Sequence, residues 1–344
     1  MNFKENYSQK KKELDKRLEK FLIQKEKTLM YSSEKELHNE LCTFVLAGGK
    51  RVRGVLCSMC YNCLGGQNKE LALNLSLSLE LLHAHFLIHD DIMDSAALRR
   101  GKPTVHKVFE KKHNNSPRAS RIGEHLALLI GDIALSYSLE VLFSLDTQTK
   151  LSKKLSSLVN EITTKTCFGQ GIEYNLQFEK ENSEKEILEI YYRKTAAYSF
   201  FLPLKLGALL ADADENTLQS LEKFSYSLGL LFQIQDDLLD IFGKEKVGKT
   251  LFGDLYEKKR TLLLHYALSQ SKCVQEIFEK EELSQTDCLE LQSLFVKTGA
   301  KQYCENLIQK YYNEAQATLE KSSLSKETNS FLKNFLDFIK ERDK

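Results

Sequence analysis

Two clusters of three aspartates, Asp90-Asp91-Ile92-Met93-Asp94 and Asp236-Asp237-Leu238-Leu239-Asp240, interrupt otherwise apolar stretches of this chain. Phe86-Leu87-Ile88-His89 precedes the first, and Leu230-Leu231-Phe232-Gln233-Ile234-Gln235 the second. Carboxylates rarely enter a protein interior unless they are paired or bound to a metal, so acidic triads inside apolar helices need a reason. On a helix the first and last aspartates of each cluster are four apart and share one face. Crowded carboxylates repel one another, and a hard divalent cation is the usual remedy. Two such faces turned toward each other would make an all-oxygen site for several Mg2+ ions and a diphosphate.

The rest of the chain is suited to carry such helices. Only three prolines occur (Pro103, Pro117, Pro203), there is no tryptophan, and Leu, Lys, Glu and Ser are abundant. That composition favours long helices over a β-sandwich. Leu71, Leu75, Leu79, Leu82 and Phe86 recur at helical spacing, as do Leu151, Leu155, Leu158 and Ile162. No linker rich in Gly, Pro or Ser divides the 344 residues. The expectation is therefore an all-α single domain over 1–344, with 1–27 as a lysine-rich N-terminal helix or extension.

A net charge of +1 argues against a nucleic-acid binder that works by neutralising many phosphates. The apolar stretches near 71–89 and 126–145 are broken by Asn74, Glu80, His83, Asp132 and Glu140, and read as core helices with no membrane span. Eight cysteines without an export signal point to free thiols in a reducing cytoplasm.

Three patterns invite other readings. Gly243 to Thr250 matches the phosphate-loop pattern G-x-x-x-x-G-K-[ST], but no strand precedes it and no βαβ alternation surrounds it. Cys57, Cys60 and Cys63 have metal-like spacing, yet lie three apart on an expected helix, where cysteine packs as a small hydrophobe. His83, His85 and His89 precede Asp90 and hint at a mixed zinc set; the carboxylate-rich setting favours magnesium.

Basic loops surround the acidic clusters. Gly48-Gly49-Lys50-Arg51-Val52-Arg53 combines backbone freedom with cationic donors, and Arg99-Arg100-Gly101-Lys102-Pro103-Thr104 follows the first cluster closely. Lys194-Thr195 falls in a third helix; Lys249 and Lys259 come after the second cluster. Two kinds of anion pocket result, one built on metal ions and one on Lys and Arg alone. An enzyme that ionises one diphosphate while holding a second unreacted needs that division.

In order along the chain, Gly-Gly-Lys-Arg-Val-Arg (48–53), Leu-Ile-His-Asp-Asp-Ile-Met-Asp (87–94), Arg-Arg-Gly-Lys-Pro-Thr-Val-His (99–106), Gly169-Gln170, Lys194-Thr195, Phe-Gln-Ile-Gln-Asp-Asp-Leu-Leu-Asp (232–240) and Lys249 with Gly253-Asp254-Leu255 resemble the motifs of trans-isoprenyl diphosphate synthases. The resemblance runs from about residue 37 to the last helix. It implies a helical bundle around a central cavity, the type I isoprenoid synthase fold. It also implies a homodimer that condenses isopentenyl diphosphate with an allylic diphosphate (dimethylallyl, geranyl or farnesyl). By the same resemblance Asp90, Asp94 and Asp236 would bind three Mg2+ ions, with Asp91 and Asp240 completing or orienting their shells. Arg99, Lys194, Lys249 and Lys259 would grip the allylic diphosphate, alongside Phe232; Thr195 and Gln233 would face the carbocation as dipoles. Lys50, Arg53, His83 and Arg100 would hold isopentenyl diphosphate without metal.

Three positions depart from the family pattern. Gly54 stands where proline is common, Glu173 where an aspartate is often found, and Lys258 where glycine is usual. The growing product would run along the first aspartate helix past Phe86 and His85, roughly 6 to 7.5 Å from Asp90 along the axis. Bulky side chains there imply a floor and a short product, geranylgeranyl or farnesyl diphosphate. Medium or long polyprenyl chains are the alternative reading of the same floor, and a terpene cyclase or a non-catalytic subunit are alternatives of other classes.

Overall fold

The computed structural model describes residues 2–179, 182–243 and 251–341. The chain is all-α: among these residues the only strands are the two-residue β1 (Leu98–Arg99) and β2 (Lys102–Pro103). It divides into two compact units, each described here by itself. One takes in the described residues of Met1–Ser156 and Leu206–Asp212; the other takes in those of Ser157–Lys205, Ala213–Glu245 and Thr250–Lys344. Lys249 and most of the phosphate-loop-like stretch lie outside the described residues.

The first unit is built on α1 (Phe3–Glu26), α2 (Ser32–Leu46), α3 (Val52–Cys63), α4 (Lys69–Met93), α5 (Val105–Lys112) and α6 (Ala119–Phe143), followed by the start of α7 (Thr149–Leu176). The lysine-rich N-terminus is the regular helix α1, whose Tyr7, Leu14, Leu18 and Leu22 are buried at helical spacing. Asn68 caps α4 by accepting from the Leu71 amide. Helix α4 is buried on most sides and lies against α1, α3, α5 and α6. Small residues allow its close approach to α6. Ser78 and Ser138 donate to each other's backbone carbonyls at 2.9 and 2.8 Å, and a Cβ on Gly131 would sit 2.2 Å from the His89 ring.

Helices α4 and α6 are long and apolar enough to cross a membrane by length and composition. In α4, 67% of the apolar window is buried inside the protein, as a core helix requires; in α6 only 39% is. The expected core role thus suits α4 better than α6, which leaves Leu128, Leu129 and Phe143 exposed.

The second unit contains α8 (Glu184–Ile190), a π-helical segment Tyr191–Phe201, α9 (Leu202–Leu210, whose end belongs to the first unit), α10 (Glu215–Phe242), α11 (Gly253–Tyr256), α12 (Leu262–Gln270), α13 (Lys272–Phe278), α14 (Gln285–Lys297), α15 (Ala300–Lys321) and α16 (Lys326–Lys340). Asp214 caps α10 by accepting from the Thr217 amide at 2.7 Å. Two glycines bring neighbours against the π-helical segment: a Cβ on Gly229 would lie 2.1 Å from Ala196, and one on Gly169 2.7 Å from the Lys194 amide nitrogen.

Candidate active site

In the first unit, Asp90, Asp91 and Asp94 end α4 and receive the hairpin that follows. Arg100 and Gly101 both take positive φ (54° and 76°), as the two central residues of a type I′ turn must. That turn sends the adjacent arginines to different partners. Arg99 donates through Nε and Nη2 to the Asp91 carboxylate at 2.7 and 2.5 Å, with Asp90 3.5 Å away. Arg100 donates to the Gly48 carbonyl. Its guanidinium lies against Gly49, where a Cβ would be 3.1 Å away and the φ of +140° suits glycine alone.

Asp91 is nearly inaccessible, at 1% exposure, while Asp90 and Asp94 are half-buried. Burial pushes its carboxyl up to about 6 against the pull of Arg99, and Asp90 and Asp94 push it further the same way. Asp91 oxygen Oδ2 has no hydrogen-bond partner. Asp91, expected beside its neighbours as a metal residue, is turned inward as the anchor of Arg99.

The arginine side is built as deliberately. Arg53 Nη1 lies 3.0 Å from His83 Nε2. A guanidinium can only donate, so Nε2 accepts and the His83 proton sits on Nδ1. Burial holds His83 well below the usual histidine range, reinforced by Arg53, Arg100, Arg99 and Arg51. Arg100 is likewise lowered by burial and then by Arg51 and Arg99. Such crowding of guanidinium groups is relieved by an anion.

The loop is held from behind. Arg51, in left-handed conformation, donates to Asp15 at 2.8 Å and to the Val45 carbonyl at 2.6 Å, and pairs with buried Glu80 at 3.6 Å. Glu80 in turn accepts from the Gly54 amide at 2.9 Å. Proline has no N–H to give, so a proline at position 54 would leave the buried Glu80 carboxylate without this donor. The Lys50 carbonyl accepts from Tyr7 of α1 at 2.7 Å, and the Lys50 side chain is exposed.

His85 and Phe86 stand one turn before Asp90. His85 is buried, and its Nδ1 donates to the Gly131 carbonyl of α6 at 3.0 Å; Phe86 is half-buried with its ring 5.2 Å from that of His85.

In the second unit, Asp236 and Asp240 are half-buried on α10, and Asp237 points inward. Asp237 accepts from the Tyr191 hydroxyl, which itself accepts from the Leu262 amide at 3.0 Å. Gln233 Nε2 donates to Asp237 at 2.8 Å, which fixes the amide group against α10. Burial raises the Asp237 carboxyl well above its ordinary range, and Asp236 and Glu173 add to this against the two hydrogen bonds. Phe232 packs edge-on to Phe200 at 5.1 Å. Asp240 accepts from the Asp254 amide at 3.1 Å.

Lys194 and Thr195 sit in the π-helical segment, both half-buried, and Lys194 donates to Glu173 at 2.5 Å. The extra methylene of Glu173 relative to aspartate carries the carboxylate to that lysine. Lys259 pairs with Glu257 at 2.5 Å and lies 3.7 Å from Asp254. Lys258 accepts the glycine-like φ of 55° and donates from Nζ to the Phe278 and Lys280 carbonyls, both at 2.6 Å. Sequence reasoning missed the roles of Tyr191, Asp237, Glu80 and Asp15; of these Asp237 carried a signal in its place inside a cluster, and Glu80 in its place inside an apolar stretch. Cys57 and Cys60 are buried, with thiols pushed up by burial, and belong to no cluster of metal-ligating groups among the described residues.

An all-α chain that ends one helix with an aspartate cluster paired to a neighbouring arginine, and carries a second aspartate cluster on another helix, has the ingredients of a transferase that handles diphosphates. The sequence model for polyprenyl synthetases matches residues 34–294, and the chain belongs to that family. It is similar to a geranylgeranyl diphosphate synthase of Methanosarcina mazei, 30% identical over 83% of this chain and 83% of that one. It is also similar to a farnesyl diphosphate synthase of Bacillus subtilis, 33% identical over 77% of this chain and 90% of that one. A geranylgeranyl pyrophosphate synthase of Corynebacterium glutamicum, solved with isoprenyl diphosphate and magnesium, matches with a TM-score of 0.91 at 27% identity, covering 99% of this chain and 100% of that one.

Proposed function

We propose that this protein joins isopentenyl diphosphate to an allylic diphosphate and releases a short all-trans prenyl diphosphate, geranylgeranyl or farnesyl. One observation carries the reading. A single unit sets a carboxylate cluster (Asp90, Asp94) beside a pocket of Arg53, Arg100 and neutral His83, with Arg99 and Arg100 assigned one to each. One pocket suits a metal-bound diphosphate and the other a diphosphate held by cations alone.

The donors fit magnesium: Asp90 and Asp94, and likewise Asp236 and Asp240, offer only carboxylate oxygen, and such groups four apart on one helix call for a hard cation. These four would hold Mg2+, three ions with the allylic diphosphate present. Bound there, Mg2+ supplies Lewis-acid neutralisation of the leaving diphosphate. Arg99 and Lys194, with Lys249 and Lys259, add positive charge to that group as the carbon–oxygen bond breaks. Thr195 and the amide of Gln233 present their dipoles to the allylic cation. Arg53, Arg100 and Lys50 hold the second diphosphate, and His83 donates to it from Nδ1–H. The proton lost after bond formation goes to the released diphosphate.

Both units act, in this reading, as one catalytic domain, in the cytoplasm and as a homodimer. The apolar surface that α6 leaves open at Leu128, Leu129 and Phe143 supports the dimer.

Incubating the purified chain with labelled isopentenyl diphosphate, Mg2+ and each allylic primer tests the proposal. Linear elongated product supports it; cyclised hydrocarbon or no turnover sinks it. Asp90→Ala and Asp236→Ala should each lower turnover by about a thousandfold, about 4 kcal/mol of transition-state stabilisation. Near-normal rates in either variant would remove the metal assignment.

A further inference from the structure

On the other side of α4 from the arginine pocket, three side chains converge that this chemistry does not use together. His85 and His89 stand one turn apart on α4, and Asp132 reaches toward them from α6. One potential ligand atom from each lies within 4.8 Å of the others, and the two imidazole rings meet edge-on at 4.4 Å. His89 Nε2 is 3.7 Å from an Asp132 carboxylate oxygen and 3.2 Å from the Leu128 carbonyl. His85 Nδ1 faces the Gly131 carbonyl at 3.0 Å. A carbonyl only accepts, so Nδ1 carries the His85 proton and Nε2 keeps its lone pair. That arrangement, with the outer ring nitrogen tied to a backbone oxygen, is how ligating histidines are oriented.

We propose that His85, His89 and Asp132 form a binding site for a borderline transition-metal ion, with Zn2+ the best-fitting member, separate from the aspartate clusters. Two neutral imidazoles and one carboxylate suit Zn2+, Co2+ or Ni2+ and discriminate against Mg2+, which prefers oxygen alone. Tetrahedral zinc at roughly 2.0–2.1 Å from each ligand needs ligand atoms roughly 3.4 Å apart. The 3.7 Å pair is already near that spacing, and Asp132, far more exposed than His89, has room to rotate toward the ion. At His89 the ion takes the Nε2 lone pair of the tautomer whose proton sits on Nδ1, so the ring stays neutral and the proton formerly on Nε2 passes to Nδ1 through solvent, leaving the fourth position to water. The third residue comes from α6, so His83, which is engaged with Arg53, takes no part. Metal binding here joins α4 to α6 one turn before Asp90.

The test is calorimetric titration of Zn2+ into the metal-stripped full-length protein in millimolar Mg2+, with the histidine ring protons followed by NMR. The expected result is one ion per chain, perturbed ring signals of two histidines, and a melting temperature that rises with Zn2+. Asp132→Asn should weaken binding roughly tenfold or more, and His89→Gln at least as much. Asp132→Asn should keep the Mg2+-dependent turnover measured without zinc, which shows that the variant folds. Equal zinc affinity in wild type and both variants would place the ion on aspartates or thiols and overturn the proposal. So would absence of binding to the wild type.

Discussion

His85 shows what a single buried side chain contributes. Burial, then the neighbouring His89, lowers its pKa from 6.5 to about 4. Above the unfolded value both states are neutral and the full contribution to stability is present. As pH falls from 6.5 toward 4 the unfolded chain takes a proton that the folded chain refuses, and stability declines, by up to about 3 kcal/mol. Urea denaturation at pH 7 and pH 5 should show a steeper loss in the wild type than in His85→Asn; identical losses would contradict the assignment. The aspartate clusters themselves were legible in the sequence, because residues four apart share a helix face. The same geometry puts Asp91 about 100° around from Asp90. Its partner, Arg99, depends on a hairpin turn that spacing alone does not reveal.

At the scale of elements, α4 brings His85 and Phe86 one turn before the first aspartate cluster. If His85 and Phe86 form the floor for the growing chain, the double substitution to alanine should lengthen the product, as chromatography of the released diphosphates would reveal. Unchanged length would move the floor elsewhere. A different helix contact governs the π-helical segment. Gly229→Val places methyl groups where Ala196 already lies, so it should destabilise the protein by about 1–3 kcal/mol in denaturant titration. Most helices were readable from apolar spacing, since their cores repeat at 3.6 residues. The π-helical segment was not, because a period of about one residue more per turn leaves no simple apolar pattern. The departures at Gly54, Glu173 and Lys258 were visible as letters, but their reasons needed coordinates. Gly54 gives its amide to Glu80, Glu173 accepts from Lys194, and Lys258 reaches the carbonyls of Phe278 and Lys280.

For the whole molecule, the testable feature is the apolar surface of α6. Leu129 and Phe143 are 51% and 64% exposed, more than a monomer gains by leaving open. Leu129→Glu with Phe143→Glu should shift the mass seen by light scattering from that of a dimer to that of a single chain. A dimer that survives the double change would locate the interface elsewhere. Sequence composition marked this helix as apolar but could not distinguish a face buried within the chain from one left for a second copy. The all-α class was plain from the same composition, while the division into two compact units left no mark such as a linker.

The wide turn at Tyr191–Phe201 bears on where Lys194 and Thr195 point. A helix that closes its hydrogen bonds one residue late carries a surplus residue, so its two ends are out of phase by about 100° relative to a regular helix. Lys194 and Thr195 can therefore point away from the side that their distance from Tyr191 implies. Grafting Lys194-Thr195 onto a regular helix would change the direction in which the pair points relative to Tyr191.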